Sequence, residues 1–284
     1  MAEEGFVDKR IESYRILAEI GRGGMGIVYK ALDEQKDQLV AIKVLPADFL
    51  SDKRKAQYLD HEFKVALDLR HPNIIKFYRL IKLQDPKQKV RRGFLVMELV
   101  DGWNMRRHIQ EQDLTMFQAV ELLLTVCGGL EYIHHHGIVH GDMKPENILI
   151  SSSGAVKIAD FGLSQFDALF RFSRDKLRGT KRYMAPEQLT RKKVDIRTDI
   201  YSIGVSSYEL FTGQSPYVGR TQEEVIREIV DRRVKPTPPS KIKPNLHHYI
   251  DRVILKAIEK NPQDRYQSML EIMLDLKRVA RSQI

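Results

Sequence analysis

His140-Gly141-Asp142-Met143-Lys144-Pro145-Glu146-Asn147 places a carboxylate, an ammonium and a carboxamide within eight residues, directly after an apolar segment. Thirteen residues past Asn147 stands Asp160-Phe161-Gly162, a second carboxylate followed by a turn-prone pair. Such a set could hold a divalent ion against phosphates and take a proton from a hydroxyl nucleophile. Alone, the first stretch reads equally as a polar loop that caps a helix. Its neighbours in the chain decide between the two.

Toward the N-terminus, residues 14–44 read as three strands: YRILAEI, a Gly-rich turn, IVYKALD, a polar turn, then LVAIKVL. The first two make a hairpin and the third an antiparallel neighbour. Residues 51–70 carry helical spacing, with Phe63, Ala66, Leu67 and Leu69 among charges, and His71-Pro72-Asn73 ends the helix. Two further strands are expected near 74–83 and 92–99. Asp101-Gly102 then breaks the chain and the composition turns helical. Residues 116–136 form a long apolar helix in which Gly128-Gly129 implies close packing, and 199–212 is nearly all apolar, hence central. Thr221 and Glu224 have capping-box spacing, and helices follow near 246–259 and 266–280. The expected architecture is α+β. A flexible segment 1–12 precedes a small antiparallel β-sheet lobe with one helix, 13–100, and a larger mainly helical lobe, 101–284, that shares a cleft with it.

The 284 residues carry 47 basic and 38 acidic side chains, a net charge of +9, with 42% hydrophobic and 30% charged residues. That is a globular composition. No basic helix with interleaved aromatics and no zinc spacing accompanies the charge, so nucleic acid is not the expected partner. The single cysteine, Cys127, excludes an internal disulfide and fits a reducing compartment. It lies in an apolar run and reads as a small core residue. The N-terminus has no apolar signal region, and the run from Ala119 to Cys127 is broken by Glu121 and too short to span a bilayer. A cytoplasmic protein with no membrane insertion is expected.

The run Gly21-Arg22-Gly23-Gly24-Met25-Gly26 lies inside a hairpin rather than between a strand and a helix. That argues against a dinucleotide-binding fold and for a flap whose backbone N–H groups cover phosphates. Lys43, in Val40-Ala41-Ile42-Lys43, would point under that flap, and a buried ammonium needs a partner. Glu62 on the following helix is the candidate, ahead of Asp60.

These residues resemble the protein kinase superfamily, specifically the bacterial-type Ser/Thr protein kinases, over roughly residues 14–280. The likeness takes in the Gly-rich loop, Ala41-Ile42-Lys43, Glu62, Met97-Glu98, 140–147, Asp160-Phe161-Gly162, Gly179-Thr180, Ala185-Pro186-Glu187, Asp199 and Arg265. It implies a bilobal kinase fold and transfer of the γ-phosphoryl of ATP to protein Ser or Thr hydroxyls. Asp142 would accept the hydroxyl proton, Lys144 would stabilise charge on the phosphoryl group, and Thr180 would bond near both. Lys43, paired with Glu62, would contact the α- and β-phosphates. Asn147 and Asp160 would hold Mg²⁺, with Mn²⁺ as the alternative. Ile20, Gly21, Gly23, Gly26, Val28, Ala41, Met97, Glu98, Val100 and Leu149 would surround the nucleotide, Met97 as gatekeeper. Glu187 and Arg265 would form a buried structural ion pair. The implied partners are protein substrates and, for autophosphorylation, a transient second copy.

One motif departs from the family: His-Arg-Asp reads His140-Gly141-Asp142 here. A binding-only pseudokinase scaffold and a small-molecule, aminoglycoside-like phosphotransferase are the alternatives. The first is disfavoured by the full set Lys43, Glu62, Asp142, Asn147 and Asp160, the second by Ala185-Pro186-Glu187 and the Gly-Thr-x-x-Tyr segment. The missing arginine also leads to the expectation that activity needs no phosphate on the activation loop, where Ser173 is the candidate acceptor. Glu146 would favour basic residues ahead of the phosphoacceptor, but Asn104 stands where strongly basophilic relatives carry a carboxylate. Only a weak basic preference is expected. Three adjacent histidines, 134–136, point in different directions along a helix end and read as a helix C-terminus rather than a metal site. Arg191-Lys192-Lys193 reads as a solvated loop.

Overall fold

Alternating burial organises the N-terminal sheet. In the computed structural model, which describes residues 5–23, 26–50, 53–84, 91–161 and 181–281, strand β3 (Gly26–Asp33) buries every second residue: Ile27, Tyr29, Ala31 and Asp33. It pairs antiparallel with β2 (Tyr14–Gly23) and β4 (Gln38–Val44). Strand β1 (Arg10–Ile11) pairs with β2, and β5 (Phe77–Gln84) and β6 (Arg91–Glu98) complete the sheet in the order β1-β2-β3-β4-β6-β5. Because side chains alternate across a pleated strand, register fixes two faces. Tyr29, Ile42 and Val96 form the centre of the core face, each fully buried. The opposite face carries Val28 across from Lys43 and Lys43 across from Leu95, then Ala41 across from Met97. Helix α1 (Lys53–Asp68) follows β4 and packs on β5.

A flexible tail is expected up to residue 12, but residues 5–12 are laid onto the sheet. Ile11 is 2% exposed, and the Phe6 ring packs edge-on against Tyr29 at 6.1 Å and Phe94 at 5.5 Å. Two such aromatic contacts, each worth about 0.5–1.5 kcal/mol beyond area burial, offset part of the entropy of ordering a polar segment. These residues belong to the first unit, which takes in the described residues up to 70 and 75–101.

The second unit takes in residues 71–74, 102–161 and 181–281. The first unit ends at Asp101 and the second resumes at Gly102, while 71–74 belong to the second unit through the Asn73 and Ile74 contacts to β9. A three-stranded sheet of β7 (Gly102–Asn104), β8 (Ile148–Ser151) and β9 (Val156–Ile158) carries the polar motifs at its edges. Helices α2 (Met105–Glu111), α3 (Met116–His135), α4 (Pro186–Leu189), α5 (Ile196–Thr212), α6 (Gln222–Val230), α7 (Pro239–Ile242), α8 (His248–Ala257) and α9 (Met269–Arg281) belong to the same unit, and α2 and α3 pack on the sheet. The capping box of α6 forms as expected, Thr221 Oγ1 accepting the Glu224 N–H and Glu224 Oε2 accepting the Thr221 N–H.

Helix α5 is buried at every residue from Thr198 to Thr212. Its hydroxyls are tolerated there because Ser202, Ser206, Ser207 and Thr212 each donate to the carbonyl four residues back. Helix α3 packs on α5, α9 and β9. A Cβ on Gly129 would stand 2.8 Å from Ile158 Cδ1 and 3.3 Å from Asn73, so glycine sets the closest approach of α3 to β9. Gly128 faces only the tip of Met273, so one glycine of the expected pair does the packing. By length and composition α3 is also long and apolar enough to cross a membrane, and half of its most apolar window is buried inside the unit.

Candidate active site

The polar loop after α3 is held from beneath by a single carboxylate. Asp199, on the first turn of α5 and fully buried, accepts the His140 N–H at Oδ2 (2.8 Å) and the Gly141 N–H at Oδ1 (2.7 Å). His134 Nε2 meets the same Oδ2 at 2.8 Å. A buried carboxylate is tolerable only when such donors surround it. Gly141 adopts φ +73°, a region where a side chain costs about 1–2 kcal/mol, so glycine suits this turn. The Gly141 carbonyl accepts from Gln188 Nε2 at 2.8 Å, and Gln188 Oε1 accepts the Ala185 N–H at 2.9 Å. The Ala185-Pro186-Glu187 segment and the polar loop are therefore joined through one amide.

His140 is fully buried and orders the loop from inside. Its Nδ1 accepts the Asp142 N–H at 3.3 Å, which leaves Nε2 as the donor to Ala159 O at 2.9 Å. That tautomer ties Asp142 to Ala159, which joins the end of β9 to Asp160. Lys144 Nζ donates to Asp142 Oδ2 at 2.6 Å. Asn147, 4% exposed, donates from Nδ2 to the Asp142 carbonyl at 2.7 Å, and its own carbonyl accepts the Ala159 N–H at 2.9 Å. Asp160 itself stands at φ +64°, rare for a residue with a side chain and typical of sites where surrounding structure enforces a functional orientation.

The first unit supplies its own set. Val28, Ala41, Lys43, Leu95 and Met97 share one sheet face by register, with Ala41 4%, Lys43 3% and Met97 5% exposed. Gly21 lies opposite Val28 and Gly23 opposite Gly26 at the tip of the hairpin, where Ile20 is 49% exposed. Glu98 donates its N–H to Lys76 O at 2.8 Å and accepts the Lys76 N–H on its side chain at 3.1 Å, which pins the chain just before Val100. In the second unit Leu149 sits on β8 opposite Asn104 and Lys157. The side chain of Glu62 lies outside the described residues, as do Gly162, Ser173, Gly179 and Thr180.

The expected ion pair of Glu187 and Arg265 is present and bidentate, both bonds 2.8 Å, with the arginine 0% and the glutamate 5% exposed. Burial pushes the Glu187 carboxyl up, but the hydrogen bond and charge of Arg265 outweigh it and hold the group below the ordinary carboxylate range. Cys127 is buried, and burial pushes its thiol up to about 12. Arg191, Lys192 and Lys193 are exposed. Among the described residues no group of three or more His, Cys, Asp or Glu could hold a metal, the triple histidine included. Two partners escape a reading of the sequence. His134 contacts Asp199 across 65 positions, and Gln188 reaches Gly141 across 47. Neither contact leaves a local signal, since each partner lies far away along the chain.

Residues 14–275 match the protein kinase domain family. The serine/threonine-protein kinase PknB of Mycolicibacterium smegmatis is 36% identical over 276 residues, 96% of this chain and 44% of that protein. PknB of Mycobacterium tuberculosis is 36% identical over 272 residues, 94% of this chain and 43% of that protein. The chain thus spans less than half the length of these curated relatives. A crystallised PknI kinase domain of Mycobacterium tuberculosis has the same fold with a TM-score of 0.74, at 25% identity over 99% of this chain and 100% of that one. With its α+β architecture, its loop anchored on Asp199 and a family match across both units, the chain belongs to the protein kinase domain family.

Proposed function

We propose that the chain transfers the γ-phosphoryl group of ATP to Ser and Thr hydroxyls of proteins in the cytoplasm, itself included. The observation that carries this reading is the bond from Lys144 Nζ to Asp142 Oδ2 at 2.6 Å. It engages one carboxylate oxygen and leaves Oδ1 with no bond among the described residues, so Oδ1 is the acceptor for a substrate hydroxyl proton. Positioned proton transfer of this kind is worth roughly 10²–10⁴-fold. Lys144 is also the residue by which the chain resembles Ser/Thr rather than tyrosine kinases. Its ammonium carries positive charge to the point where the phosphoryl group leaves ATP.

The family uses ATP with a divalent ion. The residues present fit Mg²⁺, with Mn²⁺ the alternative. Asn147 spends its amide N–H on the Asp142 carbonyl, which leaves the amide oxygen as its ligand atom, and Asp160 adds a carboxylate. These are hard oxygen donors, and a site with two protein ligands is completed by nucleotide phosphates. When bound, the ion neutralises phosphate charge. This chain's own task is to hold Asn147 and Asp160 in register, through the Ala159 N–H on Asn147 O. Lys43, with Glu62, is proposed to position the α- and β-phosphates, Thr180 to support Asp142, and the register set Val28, Ala41 and Met97 with Ile20, Glu98, Val100 and Leu149 to hold adenine. Autophosphorylation would pass through a transient encounter of two copies.

The test is incubation with labelled ATP and Mg²⁺ in the presence of protein substrates or amino-sugars. Label is expected on protein only, and Asp142→Asn is expected to reduce it at least about a hundredfold. Label on the sugars, or ATP binding with no transfer, would replace this function with one of the two alternatives.

A further inference from the structure

Beside the polar loop, Arg106 of α2 occupies the centre of an acidic pair. Its Nε donates to Glu146 Oε1 and its Nη1 to Glu209 Oε2, both at 2.9 Å. Its Nη2 donates to the Tyr183 hydroxyl, which in turn donates to Glu209 Oε2 at 2.5 Å. Arg182 Nη1 stands 3.7 Å from Glu209 Oε1. The guanidinium thus spends all three nitrogens within one cluster. Its side chain is 23% exposed, that of Glu209 is 3% exposed, and Glu146 lies at the rim with 40% exposed. Two carboxylates and two guanidiniums make the cluster neutral.

This cluster is close to the proposed chemistry. Glu146 is four residues from Asp142 in the chain, so their Cα atoms are at most about 14 Å apart, the reach of about four residues of an extended peptide. A protein whose hydroxyl sits at Asp142 must pass its neighbouring residues within reach of this cluster. Two carboxylates at that distance, left to themselves, would select a substrate Arg or Lys by charge-assisted hydrogen bonds. Here the position of such a side chain is filled from within.

We infer that Arg106 sets peptide specificity, standing in for a substrate's basic residue on Glu146 and Glu209 so that the enzyme phosphorylates sites without a basic residue nearby. The inference rests on the protein-kinase reading above. Glu146 Oε2 is buried and has no hydrogen-bond partner among the described residues, so one acceptor of the cluster is left unspent beneath the surface. Asn104, a neutral amide, adds no charge, and its side chain is spent capping α2 by accepting the Arg107 N–H at 3.3 Å. Removing the guanidinium would leave two carboxylates facing Arg182 alone, a net negative pocket open to a substrate cation.

The experiment measures kcat/KM for peptides with one Ser or Thr acceptor, scanning arginine against alanine through four positions on each side. In the wild-type chain the arginine-to-alanine ratio is expected to stay within about threefold everywhere, as for a screened, partly exposed charge. In Arg106→Ala it is expected to rise at least about tenfold at one position, the size of one new charge-assisted bond. Adding Glu146→Gln to that variant is expected to cut the gain. Arg106→Met, which keeps the apolar stem, serves if Arg106→Ala does not fold. A strict arginine requirement in the wild-type chain, or an unchanged ratio in a folded Arg106 variant, would overturn the role of Arg106 alone. No transfer to any peptide or protein by the wild-type chain would overturn the kinase reading, and this inference with it.

Discussion

Asp199 and Gly141 are coupled through one hydrogen bond, the buried carboxylate accepting the glycine N–H at 2.7 Å while the glycine holds φ +73°. The position that carries arginine in the family motif is here a backbone group gripped by α5. No cation stands at 141 for an activation-loop phosphate to neutralise. The expected independence from phosphorylation therefore rests on Gly141, while Ser173 lies outside the described residues.

Phosphatase-treated enzyme and Ser173→Ala are both expected to keep the initial rate of the untreated chain to within about threefold. Gly141→Arg is expected to lose stability by about 1–2 kcal/mol, from a side chain at positive φ, and to become slower after phosphatase treatment. Initial rates with and without phosphatase, alongside thermal melts, check both halves. Near-complete loss of wild-type rate on dephosphorylation, restored at Ser173, contradicts this account.

Lys43→Met is expected to lower phosphoryl transfer at least about a hundredfold, the loss expected for one electrostatic contact to the reacting phosphates. Lys43 is 3% exposed, yet methionine matches its stem, so the melt should shift by only a few degrees. Turnover near the wild-type value would remove Lys43 from the site.

Replacing Arg265 by Met is expected to cost about 3–5 kcal/mol, since it strands the buried Glu187 carboxylate. Because Glu187 titrates lower in the folded chain than its ordinary 4.5, the pair contributes stability at pH above that value and loses it as pH falls through the folded value. The double variant Glu187→Gln with Arg265→Met should therefore show a shallower loss of stability on acidification. Chemical denaturation from pH 3 to 7, about the range of the carboxylate transition, reads the difference.

Lys260 gives the opposite limb. It is buried, donates to the carbonyls of Glu228 and Ile229, and lies 4.0 Å from the Tyr217 ring centroid. Burial pulls its ammonium down to about 8 from 10.5. The unfolded chain then holds more protons than the folded one between those values, so this group makes stability rise as pH climbs from about 8 toward 10.5. Lys260→Met is expected to remove that rise. An unchanged alkaline limb in the variant would mean that Lys260 does not titrate early.

What the sequence could disclose followed the range of the signal. Strand alternation, the capping box at Thr221 and the apolar run of α5 are local patterns, and each forms as expected. The pairing of Glu187 with Arg265 spans 78 positions and was reachable only through the family resemblance. The Phe6 contacts were hidden because one aromatic residue in a polar segment carries no period, and only the sheet beneath it makes it core. Arg106 was hidden for another reason. An arginine on a short amphipathic helix reads as solvated, and nothing nearby in the chain announces that two glutamates 40 and 103 positions away converge on it.

The close approach at Gly129 also has a bearing on how this chain can vary. Ile158, which a methyl group there would strike, is the last residue of β9 and stands two residues before Asp160. The thickness of one helix face therefore acts as a gauge block for the proposed metal ligand. A single added carbon on α3 would press on Ile158 beside Ala159, whose backbone bonds both His140 and Asn147, so the proposed ion ligands and the proton acceptor Asp142 would be displaced together.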